Sequence, residues 1–399
     1  MANFYSTPRS EANRKSKNSY FSVLCLLVCG LVVMTLVLLL ASIFITGGNW
    51  LSWGFLFANH LEDNPEQSGI WQAIVGSIAM CVLCAICALP IGIGTAIFLE
   101  EFQPRNKWLR GLHWLVQLNI NNLAGVPSIV YGILGVTAFV YMFSYFPSIT
   151  PNDPPSYEIG ANYRYQMRTL GGDIVNFPCP DKTDKSFRVD QPLEAVDSQG
   201  NVFMLKVVDR RSAAPKNDPV LLNQTVVKGK KPSLYAEKSF FYFHLPFGKT
   251  VLAAGLTLGL VILPIVIIAS QEALRAVPAS LREAALGMGA TQWEAVREVV
   301  LPAATPGFMT GAILVMSRAV GEAAPVLAVM GGVLVTTNGL THLMAKTPVL
   351  PVTIYKWAGD ENVGFEHLAA AAIIVLLVLL LVMNSVAILI RSRYEKMSG

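Results

Sequence analysis

Residues 277 to 302 open with Val277-Pro278-Ala279-Ser280-Leu281-Arg282-Glu283-Ala284-Ala285, pass through Gly287 and Gly289, and close on Val299-Val300-Leu301-Pro302. The stretch is charged, amphipathic and punctuated, yet it separates two apolar segments of a length that only a membrane accommodates. Pro278 suits a first helical turn, where its missing N–H has no partner to lose. Ser280 and Glu283 fit a capping box, and Leu281, Ala284, Ala285 and Met288 line one face. Gly287 and Gly289 supply a stop, because glycine accepts the positive φ that closes a helix. Thr291 and Glu294 repeat the capping pattern, and Trp293, Val296, Val299 and Val300 extend an apolar face until Pro302. The expectation is two short helices joined by a glycine turn outside the bilayer, a knob for another protein to grip.

The rest of the chain is organised around that membrane. Of its 399 residues, 53% are hydrophobic and only 14% charged, with a mean hydropathy of +0.50. Soluble domains carry about 25% charged residues, so this chain is short of polar surface. Residues 1–20 form a polar tail containing Arg9, Arg14, Lys15 and Lys17, and 21–45 is an uncharged run long enough to span a hydrocarbon core of roughly 30 Å. It exceeds the apolar region of a signal peptide and reads as an uncleaved anchor. Further spans are expected at 70–98, 115–146, 250–270, 303–335 and 368–390, six in all. Within these limits 70–147 holds the second and third spans, and 247–391 holds the last three with the loop 272–302. A tail, 392–399, follows. Placing both termini in the cytoplasm gathers Lys15, Lys17, Arg105, Lys107, Arg110, Arg275, Arg282, Arg297, Arg391 and Arg393 on one side, as the positive-inside rule requires. The opening stretch is then cytoplasmic.

Glu283-Ala284-Ala285, then Gly289, then Val299-x-Leu301-Pro302 resembles the EAA loop of ABC importer permeases, with Val299 where that family usually has Ile. Pro90-Ile91-Gly92-Ile93-Gly94-Thr95, Asn119-Ile120-Asn121-Asn122-Leu123-Ala124-Gly125-Val126-Pro127-Ser128, Arg318-Ala319-Val320-Gly321-Glu322-Ala323-Ala324-Pro325 and Leu350-Pro351-Val352-Thr353 are similar to stretches of phosphate-importer permeases, most of all the PstA type. The resemblance covers all six spans but not 148–246. It implies an all-α polytopic protein of the type I ABC importer permease fold in a bacterial inner membrane. It also implies a PstC-like permease as heterodimer partner, two copies of a PstB-like ATPase and a periplasmic phosphate-binding protein. In that family the loop docks in a cleft of the ATPase, which assigns coupling to Glu283, Ala284, Ala285, Gly289, Leu301 and Pro302. ATP and Mg would belong to the ATPase, with no cofactor in this chain.

Arg318 and Glu322 are the chemical clue inside the membrane. At i and i+4 they share a helix face, and a charge at that depth costs at least ~2.5–3.5 kcal/mol, so it should face protein or water. A guanidinium holds a tetrahedral oxyanion through two parallel N–H···O bonds, and a neighbouring carboxylate offsets its charge so that the anion can leave. The alternative is a structural ion pair joining helices. The resemblance implies that both residues lie in the phosphate path. Asn121, Pro127 and Ser128 interrupt the third span, where Pro127 removes a backbone hydrogen bond and kinks the helix, as a path feature or as tolerated geometry. Gly255 with Gly259 and Gly307 with Gly311 are small-xxx-small patterns that let helix backbones approach, with simple packing as their reading.

Residues 148–246 are polar and close to neutral. Alternation over 201–208 suggests short strands, and the aromatic run 239–247 suggests a return along the membrane interface. A small extracytoplasmic β-rich insertion is expected, either docking the binding protein or merely covering the permease. Five of six cysteines lie in apolar runs, with Cys179 alone in a polar region, and the five histidines, without ligand spacing, read as loop or interfacial residues rather than metal ligands. No phosphate-cradling Gly-x-x-x-x-Gly-Lys motif is present, so the chain is not expected to hydrolyse ATP, to act as an enzyme or to bind nucleic acid. Membrane lipid is its surrounding partner. Alternatives are a permease for another oxyanion such as sulfate or molybdate, and a non-transport membrane scaffold.

Overall fold

The computed structural model describes residues 8–59, 64–102, 104, 106–146, 157–178, 190–197, 199–209, 218–230, 233–331 and 339–398. Arg105, Cys179 and the end of the expected fifth span lie outside them. The chain divides into two compact units, residues 1–71 with 353–385 and residues 72–352 with 386–399.

In the first unit, helix α1 (Pro8–Gly47) begins within the polar tail and runs unbroken through the expected first span. Leu24, Leu31, Val37 and Leu38 are all more than half exposed, on every side of this helix. Such a surface suits lipid rather than water. Only its end is packed: a Cβ added to Gly47 would lie 2.5 Å from the backbone nitrogen of Ala371, and Trp50 stacks on His367 at 5.8 Å. A short helix α2 (Trp53–Phe57) follows, its N-terminus capped by the Ser52 hydroxyl. Phe55 sits beneath Trp357 at 6.3 Å.

The second unit is built from α3 (Trp71–Glu101), α4 (Lys107–Leu123) and α5 (Ser128–Gly135), the last continued by a π-helical turn to Val140. Strands β1 (Tyr157–Arg168), β2 (Ile174–Pro178), β3 (Glu194–Val196), β4 (Val202–Met204) and β5 (Lys206–Val208) come next, then α6 (Pro219–Asn223), β6 (Thr225–Val227) and β7 (Ser233–Leu245). The chain returns through α7 (Val251–Arg275), α8 (Ala279–Gly287), α9 (Gln292–Ala295), α10 (Leu301–Gly321) and α11 (Ala324–Met330). The last two helices, α12 (Leu350–Ala358) and α13 (Val363–Ser398), have most of their length, residues 353–385, in the first unit. Among the described residues five helices are long and apolar enough to cross a membrane, six spans if a bent helix pair counts as one.

Helix α7 is the axis of this unit, with 67% of its most apolar window buried. Small residues let its neighbours approach. A Cβ on Gly255 would meet Leu83 Cβ of α3 at 3.0 Å, and Cβ atoms on Gly307 and Gly311 would meet Ala273 and Ala269 at 2.6 and 3.0 Å. Both glycine patterns therefore serve helix packing, although Gly259 is looser, 3.9 Å from Ala88.

The third span differs from the expected kinked helix: α4 and α5 are separate and bent by 109°. Three contacts fix α4 at the far end of α7. His113 Nε2 lies 2.9 Å from the Leu99 carbonyl, Gln117 and Gln271 exchange side-chain hydrogen bonds at 2.7 and 3.2 Å, and Ile120 joins the cluster of Leu99, Ile267 and Leu274. At the other end Gly135 presses on Thr257, and the Gly248 N–H donates to the Val140 carbonyl at 3.2 Å. Helix α5 accordingly accompanies only the first half of α7, while α4 crosses its last turns. Pro127 is the N-cap residue of α5 rather than a mid-helix kink, and at the break the Leu123 carbonyl accepts both the Val126 N–H, at 3.0 Å, and the Tyr131 hydroxyl, at 2.8 Å.

The insertion carries a five-stranded antiparallel sheet, order β4-β3-β2-β1-β7, and a parallel pair β5-β6. The expected strand over 201–208 is split at Leu205, which turns its side chain into a core of Tyr165, Met167, Val175, Phe177, Ala195 and Val226. The aromatic run belongs to β7, paired with β1 along its length. Its end meets the loop 339–345. The Leu343 N–H donates to the Phe240 carbonyl at 3.4 Å, and the Tyr242 and His342 rings meet edge to face at 5.2 Å. His244 Nδ1–H donates to the Pro246 carbonyl at 2.7 Å. Both histidines are buried, at 8% exposure; His342 sits in a loop as expected, whereas His244 belongs to strand β7. The aromatic strand folds over them and excludes water. Burial, with the nearby positive charges of Lys238 and His244, pushes the His342 imidazole down to about 4.

Candidate functional site

At the end of α7 the chain turns back as the hairpin α8–α9. Pro278 occupies the N-cap position without a side-chain cap, so the Ser280–Glu283 capping box expected there does not form. Of the expected apolar face only Ala285 is buried, while Leu281 and Met288 are 41% and 84% exposed. The inward face instead carries Arg282 and Ala285. Helix α8 closes in a Schellman arrangement: the Gly289 N–H donates to the Leu286 carbonyl at 3.0 Å and the Ala290 N–H to Ala285 at 3.2 Å. Gly289 holds φ +91° at the turn. The second capping box is present, with Thr291 N–H donating to Glu294 Oε2 at 2.7 Å and Glu294 N–H to Thr291 Oγ1 at 3.3 Å.

Beyond α9 the chain does not stop at Pro302. A π-helical turn over Val296–Val300 leads straight into α10. The wider turn absorbs a residue ahead of the proline, whose missing N–H would otherwise break the ladder. The hairpin's second limb and the helix carrying Arg318 are one continuous rod. Val296 and Val300 anchor its base in the core, whereas Glu283, Ala284, Leu286, Met288 and Trp293 remain exposed at the tip.

One arginine fastens this hairpin, and a second ties α7 to the end of α3 beside it. Arg282 places Nη2 2.8 Å and Nε 3.2 Å from Glu101 Oε1, and donates to the carbonyls of Leu274 and Val277, both at 2.7 Å. Arg275 pairs with Glu100 at 2.6 Å and Glu272 at 3.0 Å. Glu101 and its contacts were invisible as a site in the sequence; the available signal was a pair of acids ending an apolar span inside an otherwise basic loop.

Arg318 and Glu322 are brought together as expected, with Nε 3.1 Å from Oε1. Helix α10 ends at Gly321, however, and Glu322 leaves it with φ −76° and ψ 100°. The arginine side chain is 58% exposed and the glutamate 17%. Asn121 is exposed on α4 and accepts from Gln117 at 3.4 Å, and Pro127 and Ser128 open α5. No contact joins these three to Arg318 among the described residues, but α5 packs on α11 just beyond Glu322, where a Cβ on Gly132 would lie 2.8 Å from Pro325 Cα.

The chain is similar to the phosphate transport system permease protein PstC of Pasteurella multocida, 27% identical over 317 residues that cover 78% of this chain and 71% of that one. It is also similar to the phosphate transport system permease protein PstA of Mycobacterium leprae, 41% identical over 87 residues, 22% of this chain and 29% of that one. Among solved structures it resembles a bacterial ABC transporter that imports the acidic polysaccharide alginate (TM-score 0.47, 12% identity, 96% of this chain and 99% of that one). A second likeness is to the MetNI methionine ABC transporter (TM-score 0.42, 15% identity, 82% and 94%). Residues 88–396, which include the hairpin and the Arg318–Glu322 pair, match the binding-protein-dependent transport system inner membrane component family, and the chain belongs to it.

Proposed function

We propose that this chain is one permease half of an ATP-driven importer that carries inorganic phosphate across the cytoplasmic membrane. The observation that carries the reading is the Arg318–Glu322 pair, an arginine presented to open space with its carboxylate sheltered, on a helix continuous with the α9 limb of the hairpin. A transported oxyanion meets a bidentate donor there, and the adjacent negative charge keeps its residence short. Names of relatives support phosphate over sulfate or molybdate, since both PstC and PstA proteins resemble the chain. The motif pattern favours the PstA-type half beside a PstC-like partner; the 41% match to PstA supports this over a short stretch, and the longer similarity runs to PstC.

The hairpin tip is the ATPase-docking element in this reading, with Leu286, Met288 and Trp293 entering a cleft of each partner's apolar surface. Both chain termini and the hairpin are cytoplasmic, and the β-rich insertion faces the periplasm, where it receives the phosphate-binding protein. ATP and Mg act in two PstB-like ATPase subunits. Reconstitution of the chain with a PstC-like permease, the ATPase and the binding protein tests this directly. Phosphate-stimulated ATP hydrolysis with phosphate accumulation is expected; stimulation by sulfate or molybdate in place of phosphate would reject the substrate assignment. Replacing 167–232 by a two-residue turn preserves the Gln166–Ser233 pairing at the ribbon's end. Unchanged uptake kinetics with that variant would reject the docking role of the insertion.

A further inference from the structure

Glu101 stands where three elements converge. Its carboxylate takes two donors from Arg282 of α8, and its main-chain carbonyl accepts from the Gln292 side-chain amide at the start of α9. The adjacent Phe102 ring lies 6.3 Å from Trp293. One residue at the end of α3 therefore grips both limbs of the hairpin, α8 by its side chain and α9 by its backbone. The ion pair is sheltered, with side-chain exposures of 24% for Arg282 and 10% for Glu101, so it is far less screened than the more open Arg275–Glu100 pair at 53% and 18%. Arg282 also donates to the carbonyls of Leu274, in the last turn of α7, and of Val277 just after it.

This latch is not the sole tie between these helix ends. Leu99, Leu274, Val277, Val300 and Ala304 already join the same ends through a buried apolar cluster. What the polar contacts add is direction: apolar surfaces slide, while a bidentate guanidinium–carboxylate pair fixes register and angle. We propose that Glu101 is a positioning residue of the coupling step, linking hairpin displacement to α3 through Arg282 and Gln292. Helix α10 receives the motion covalently, through the π-helical turn; α3 receives it through Glu101. Two helices that both pack on α7 then move together, as a change in the path they border requires. This inference rests on the reading of the hairpin as the ATPase-coupling element.

The test uses the complete importer in proteoliposomes, with phosphate uptake and ATP hydrolysis both measured per mole of assembled complex. Glu101→Gln keeps the shape and one acceptor but removes the charge, and the expected result is continued ATP hydrolysis with uptake lowered roughly tenfold, the scale of one charged hydrogen bond. Gln292→Ala, which leaves the ion pair intact, should raise ATP used per phosphate in the same direction by a smaller factor. Should Glu101→Gln fail to assemble, the Gln292→Ala ratio decides alone. A wild-type ratio in the variants, or a parallel fall of both activities, would overturn the inference. Absence of ATP-driven uptake in the wild-type complex would instead reject the functional reading on which it stands.

Discussion

Arg318 Nε lies 3.1 Å from Glu322 Oε1 across the residue at which α10 ceases to be helical. The pair is lopsided: the guanidinium is mostly exposed and the carboxylate mostly sheltered. A buried structural pair would hide both partners, because either one left in the open gains little from the other. The lopsidedness is compatible with the proposed role of Arg318 as an anion-receiving arginine with a fixed counter-charge.

The first expectation follows from the shape of the donor. Arg318→Lys retains charge but not the fork, and should cut phosphate uptake by roughly tenfold or more, the equivalent of one lost charge-assisted bond. Arg318→Ala should abolish uptake while the amount of assembled complex stays normal, since so exposed a side chain contributes little to folding. Normal uptake by the alanine variant, measured with labelled phosphate, would remove Arg318 from the path.

Glu322 makes an opposite prediction. Glu322→Gln keeps a hydrogen-bond acceptor for Arg318 but removes the charge that limits how tightly an anion is held. Half-saturating phosphate should fall and maximal uptake should fall with it, because release becomes slow. A variant with unchanged half-saturation and unchanged rate would make the glutamate a bystander.

Much of this was legible in the sequence, and the failures share one cause. Span positions follow from apolar length, and the Arg318–Glu322 contact follows from i,i+4 spacing. The break between α4 and α5 does not, because a single proline in an apolar run reads as a kink; what forces the break is the anchoring of His113 to Leu99 and of Gln117 to Gln271. Pro302 reads as a stop, and the π-helical turn before it reverses that meaning. Glu101 gave only the local signal of paired acids at the end of a span, and its role stayed hidden because its partners Arg282 and Gln292 are distant in sequence. Local spacing identifies contacts within a helix; contacts between helices need the fold.

The root of the insertion should respond to acid. His342 is held neutral, its pKa lowered from 6.5 to about 4, by burial and by Lys238 and His244. Burial lowers His244 too, with the Pro246 carbonyl and Glu158 opposing the shift and Lys238 and Lys346 adding to it. The folded state therefore binds fewer protons than the unfolded state across this window, so stability is full above pH ~6.5 and declines as the pH falls toward 4. Amide exchange in β7 and in 339–345 should accelerate over that range, and His342→Gln should flatten the dependence. Exchange in the wild type that is constant from pH 6.5 to 4 would show that the site tolerates the charge.

The turn between α8 and α9 offers the sharpest mechanical test. Gly289 has φ +91°, and a Cβ there would meet no atom within 4 Å. Any penalty on substitution is therefore backbone strain rather than crowding. For an L residue that strain is about 1–2 kcal/mol, greater for a β-branched one and smaller for asparagine, whose side chain bonds locally. Gly289→Val should distort the hairpin tip and lower ATP-coupled uptake several-fold, whereas Gly289→Asn should retain most of it. Because Ala285 and Val296 still anchor the hairpin base, assembly of the two permease halves should be unaffected by either change. Equal uptake by the valine and asparagine variants would separate the geometry of the hairpin turn from transport and confine the proposed coupling to Leu301 and Pro302, on the continuous rod into α10.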